Sequence, residues 1–177
     1  MKTSIYIVNL RHYNIGNVIG EEITLPIDPK KLDKIEKKLL SFGGEELLVI
    51  DSPKEYKLSD YDGMREVREL NDLLIYAEKN LSIDEAIAIL NYDLSITPAD
   101  VIDYIENCKI VTIQAEDDFE FVKYLVENNL IENSEEIRSI LSNSSTSHYL
   151  CCENISTDFQ INNAVTVWND YYIYPTF

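Results

Sequence analysis

The chain has 177 residues, 45% of them hydrophobic and 10% aromatic, with a formal net charge of −17. Its acids are interleaved with Ile, Leu, Val and Tyr at regular spacing, which excludes a disordered acidic tail and leaves ample material for packed cores. No apolar run approaches the roughly 18 residues of a membrane span, and Met1-Lys2-Thr3-Ser4 leads into a strand-like segment without a signal-peptide core, so a cytoplasmic protein without membrane contact is expected. The charge is unevenly placed. Residues 1–58 hold nine bases and nine acids, so the whole excess lies after Leu58, where 23 acids face six bases. Such a surface repels itself and calls for a reason: solubility, or a partner that recognises a polyanion.

In chain order, Ser4–Leu10 alternates apolar and polar residues and predicts a strand, followed by a turn at Tyr13–Gly16 and a second strand, Val18–Leu25. Asp28 and Pro29 open a helix with Leu32, Ile35 and Leu39 at helical spacing, which Gly43-Gly44 stops. A third strand is expected over Glu46–Asp51, giving a small antiparallel sheet with one covering helix. The next block is helical. Met64–Lys79 places Val67, Leu70, Leu74 and Ala77 on one face, Ser82 and Glu85 form a capping box for a helix through Leu90, and Thr97–Asp100 caps another that runs to Asn107. The last block reads as a strand (Lys109–Ala115), a helix (Asp117–Asn129), a helix from Ser134, a polar loop (Ser142–Ser147) and two strands, Ala164–Trp168 and Tyr171–Tyr174. The expected class is α+β, as three small serial domains: 1–58, a sheet with a helix; 59–107, helical and acidic; and 108–177, a sheet with helices and acidic.

Catalytic signatures are weak. His12 and His148 lie far apart with no marked nucleophile, and Gly16 and Gly20 sit between strands, which suits turn and bulge glycines better than a phosphate loop. Asp60-Tyr61-Asp62-Gly63 starts like a calcium loop, but Met64 and Arg65 occupy positions where ligands are needed. Glu116, Asp117, Asp118 and Glu120 sit where a helix N-terminus favours negative charge, and nothing singles out one catalytic pair among 32 acids. Cys108, Cys151 and Cys152 have no metal-ligand spacing and read as reduced thiols. No enzyme activity, cofactor or metal is expected.

The acids on the helices are more informative. Glu66, Glu69 and Asp72 step by three residues along one helix and Asp100, Asp103 and Glu106 along another, each opposite the apolar positions. That step advances about 4.5 Å along the axis, against roughly 3.4 Å per phosphate on one DNA strand. With Asp117, Asp118, Glu120, Glu127, Glu135 and Glu136, these are the candidate partner-binding acids. The alternative is an acidic interaction adaptor that binds through apolar patches, whose binding would survive high salt.

Ile5-Tyr6-Ile7-Val8-Asn9-Leu10, then Tyr13-Asn14, Gly16, Gly20 and Leu25-Pro26, resemble the N-terminal signature of the ArdA antirestriction proteins. Asp51-Ser52-Pro53, Ser59-Asp60-Tyr61-Asp62 and Glu69-Leu70-Asn71-Asp72-Leu73 follow in the same order, so that the resemblance covers about residues 4–131. It implies an elongated three-domain DNA mimic made by mobile elements or phages. Such a mimic dimerises and occupies the DNA-binding groove of a type I restriction-modification enzyme or, as a further alternative, of another DNA-handling defence enzyme, without binding nucleic acid itself.

Overall fold

The computed structural model describes residues 3–142 and 151–176. Apart from Ser142, the predicted polar loop lies outside the described residues, as does His148. Contacts group the chain into two compact units, residues 1–103 and 104–177.

In the first unit the alternation of Thr3–Asn9 becomes the central strand β1, with Ile5, Ile7 and Val8 buried. It pairs antiparallel with β2 (Gly20–Leu25) on one side and β3 (Leu47–Asp51) on the other, in the order β2-β1-β3. The predicted first turn contains a short helix, α1 (Leu10–Asn14), and β2 starts at Gly20, two residues later than expected. Asn9 explains this. Its Oδ1 accepts from the His12 N–H (3.3 Å) to cap α1, while its Nδ2 donates to the carbonyls of Leu39 (2.9 Å) and Gly43 (2.8 Å). A fully buried side chain thus ends the strand and ties it to the covering helix.

That helix, α2 (Pro29–Leu40), is capped by Asp28, whose Oδ1 accepts from the Lys30 N–H (2.8 Å), and buries Leu32 and Leu39. It stops where Gly43 and Gly44 adopt φ of +94° and +106°, a region that side chains disfavour. Its outer face is cationic: Lys30, Lys31, Lys34, Lys37 and Lys38 are all exposed, opposite the two buried leucines. Lys38 pairs with Glu21 (2.7 Å); the other four have no ion-pair partner among the described residues.

Three helices follow: α3 (Met64–Asn80), α4 (Ile83–Leu90) and α5 (Pro98–Glu106). α3 buries Val67, Leu70, Leu73, Leu74 and Ala77, and also Asn71, whose amide forms a two-bond clip on Ile27. Asn71 Oδ1 accepts from the Ile27 N–H (2.8 Å) and its Nδ2 donates to the Ile27 carbonyl (3.0 Å). Arg68 adds ion pairs to Asp33 (2.8 Å) and Glu36 of α2. Asn91, past the end of α4, donates to the Glu55 carbonyl (2.8 Å) in a short 3₁₀ turn, Lys54–Tyr56. These bonds join the sheet and the helical block, which explains why residues 1–103 cluster together.

The second unit repeats the sheet-plus-helix plan. Strands β4 (Ile110–Gln114), β5 (Thr166–Trp168) and β6 (Tyr171–Pro175) form an antiparallel sheet in the order β4-β6-β5. Three helices belong to it: α6 (Asp118–Glu127), α7 (Ser134–Leu141) and α8 (Cys152–Asn162). The core centres on Phe121, stacked on Tyr172 with ring centroids 3.8 Å apart and met edge-on by Phe159 at 5.8 Å. Helix α8 has no counterpart in the sequence reading. It starts without a side-chain cap and buries only Ser156 and Phe159, too sparse a pattern to mark an amphipathic helix.

Candidate functional site

The twelve candidate carboxylates divide by what holds them. Four belong to helix starts. Glu66 Oε2 accepts from the Gly63 N–H (3.0 Å) at the head of α3, and Asp100 accepts from both the N–H (2.9 Å) and the hydroxyl (2.7 Å) of Thr97 at the head of α5. Asp117 caps α6 by accepting from the Glu120 N–H (2.9 Å), and Glu120 reaches back to the Glu116 N–H (3.0 Å). Local spacing of three or four residues fixes these side chains against their own helices. The Thr97 hydroxyl and N–H hold the Asp100 carboxyl below the usual carboxylate range.

A fifth, Glu69, accepts from Arg65 one turn earlier (2.9 Å), so the row on α3 is partly neutralised on its own helix. The relief comes from within the same helix, four residues before Glu69. Asp118 departs furthest from an outward carboxylate. Half-buried, it accepts from Ser156 Oγ of α8 (2.5 Å) and from the Tyr172 hydroxyl of β6 (3.2 Å), binding three elements of the second unit. Burial first, and then the Asp118 charge beside it, push the Tyr172 hydroxyl up to about 12.

The remaining six, Asp72 on α3, Asp103 and Glu106 on α5, Glu127 on α6, and Glu135 and Glu136 on α7, are exposed. Asp72, Glu106, Glu127, Glu135 and Glu136 have no ion-pair partner among the described residues. Nearby Arg138 is engaged elsewhere, donating to the Val126 carbonyl (2.7 Å) and Asn129 Oδ1 (3.1 Å). Within the second unit these side chains have little local counter-charge: residues 104–177 carry 12 acids and three bases.

Among the exposed acids outside these twelve, Glu153 and Asp158 lie on α8, a helix that the sequence reading lacked, and Glu45 and Glu46 precede β3 in or beside a segment read by its strand pattern. Among the described residues no three His, Cys, Asp or Glu side chains gather as a metal site, and no helix is long and apolar enough to cross a membrane. The three cysteines are free thiols.

No curated protein is matched by the chain. The family model described as antirestriction protein (ArdA) matches residues 5–174, which extends well beyond the first 131 residues into the second sheet. Nearly the whole length of the chain, from β1 to β6, is therefore that of a member of the ArdA antirestriction family, a family of inhibitors and not of known enzymes.

Proposed function

We propose that the chain inhibits a type I restriction-modification enzyme by presenting, in place of DNA, carboxylates set on helices. The observation that carries this reading is the state of the acids: Asp72, Asp103, Glu106, Glu127, Glu135 and Glu136 are exposed on helices, and capping bonds orient Glu66, Asp100, Asp117 and Glu120 beforehand. A DNA-binding groove draws much of its affinity from lysines and arginines that displace counterions from phosphates. Fixed carboxylates offer those cations an alternative partner, and their prior ordering lowers the entropy lost on binding. Segments 59–107 and 108–177 supply the excess charge, and segment 1–58 is neutral. Family membership supports a homodimer acting in the cytoplasm of the host cell.

The test is competition between the purified protein and duplex DNA for a type I enzyme over a salt series. Unaltered protein is expected to displace DNA, with an effect that weakens as salt rises. Changing Glu69, Asp72, Asp100, Asp103 and Glu106 together to Gln or Asn is expected to weaken displacement and flatten its salt dependence. An unchanged profile would refute the reading.

A further inference from the structure

In the first unit, the end of α2, the start of β3 and the head of α3 enclose an open groove of about 380 Å³. Leu40, Leu48 and Met64 supply apolar surface, and Glu36, Glu45, Glu46 and Glu66 supply carboxylates. Arg65 also lines the groove, and this cation is already engaged by Glu69 (2.9 Å). Of the four carboxylates, Glu36 meets Arg68 and Glu66 accepts the Gly63 N–H, whereas Glu45 and Glu46 are exposed, without a side-chain partner among the described residues.

Tyr61 completes the rim. It is 73% exposed and held at φ +86°, where a bulky residue is rare. The conformation is maintained by pairing with β3: the Tyr61 N–H donates to the Val49 carbonyl (3.0 Å) and the Val49 N–H to the Asp62 carbonyl (2.9 Å). Backbone pairing thus holds Tyr61 beside a groove lined by apolar side chains and carboxylates.

An occupant with an aliphatic stem and a cationic, planar head satisfies all three surfaces. The stem covers leucine and methionine, and the head donates charge-assisted hydrogen bonds to carboxylates and stacks on the ring. Arginine has this shape, whereas the compact, strongly hydrated lysine ammonium makes poorer use of the ring. We propose that this groove seats an arginine side chain of the protein that the chain inhibits, its guanidinium between Glu45, Glu46 and the Tyr61 ring. The assignment rests on the DNA-mimic reading above, and it adds to diffuse charge a site that selects one side chain.

The chain has two methionines, Met1 and Met64, so methyl labelling yields one reporter inside the groove. N-acetyl-arginine N-methylamide is titrated against the labelled full chain, alongside the lysine and citrulline analogues. Arginine is expected to move the Met64 resonance saturably, lysine less, and uncharged citrulline hardly at all. Glu45→Gln with Glu46→Gln should raise the arginine midpoint about tenfold, whereas the charge-matched pair Glu135→Gln and Glu136→Gln should leave it nearly unchanged. A silent Met64, equal response to arginine and lysine, or equal weakening by both pairs overturns the groove assignment. DNA competition separates the two claims. Displacement of DNA alongside a silent Met64 removes the groove and leaves the mimic; a responsive Met64 without displacement removes the assignment to that partner together with the mimic.

Discussion

Replacing Asp118 with alanine removes an acceptor shared by two hydroxyls, Ser156 Oγ at 2.5 Å and Tyr172 OH at 3.2 Å. Ser156 is fully buried and accepts from Gln160 Nε2 (2.7 Å), so the substitution takes the charged acceptor away from a hydroxyl with no access to water. Hydrogen bonds to a charged group contribute about 1.5–3 kcal/mol each. The Tyr172 bond is long for two oxygens and falls at the low end, which gives a total loss of about 3–4.5 kcal/mol. A unit of this size has a stability of about 4–11 kcal/mol, so the melting temperature should fall by roughly 12–35 °C. Asparagine keeps an oxygen in place, and Asp118→Asn should cost about 1 kcal/mol or less. The assay is urea unfolding followed by the fluorescence of Trp168, the one tryptophan in the chain, which pairs with Tyr171 across β5 and β6. An alanine variant as stable as the parent, or an asparagine variant as weak as alanine, would refute the idea that Asp118 works as an internal acceptor.

Other outcomes follow from the same structure. Because Tyr172 is held near 12 against its ordinary 10, the folded state keeps that proton longer than the unfolded chain, so its contribution is complete below pH 10 and is lost as pH rises towards 12. Asp118→Asn should narrow that window, read from urea midpoints across alkaline pH. Asn71→Ala should destabilise the first unit by about 2–3 kcal/mol, since both Ile27 backbone groups lose their partner; circular dichroism in urea measures it. Gly20→Ala should cost about 1–3 kcal/mol, because a Cβ there would lie 2.6 Å from the Ile7 carbonyl oxygen and 2.7 Å from the Tyr6 ring; the same melt reports it. Asp72→Asn, Asp103→Asn and Glu106→Gln combined should weaken DNA displacement from a type I enzyme most at low salt, and any one alone should do little. Asp118→Asn, facing inward, should leave displacement unchanged.

What the sequence made legible was local. Asp28, Ser82 and Asp117 act within two or three residues of themselves, and each caps the helix that its spacing announced. Asn9 and Asn71 reach 30 and 44 residues away, and nothing beside them in the chain foretells a buried amide. The list of candidate acids treated each helix in isolation. On α6, Glu127 is exposed, whereas Asp118 is half-buried, because α8 and β6 bring hydroxyls to its carboxylate. The missing helix and the misread carboxylate thus have one cause: a neighbour that the pattern of residues 152–162 did not disclose. Strand positions fared better, since alternation over four to seven residues suffices to mark an inner face. Family resemblance was clear through about residue 131, and the wider match to residue 174 takes in the second sheet, where short motifs alone were too degenerate to follow.

The five lysines along α2 give this anionic protein a contrary side. Against a cation-lined cleft that side would be driven outward, so a polyanion that carries it arrives with a preferred roll, not at random. In the proposed complex the two signs would act like keel and sail: attraction would draw the chain in, and repulsion of one helix would decide which way up it lands.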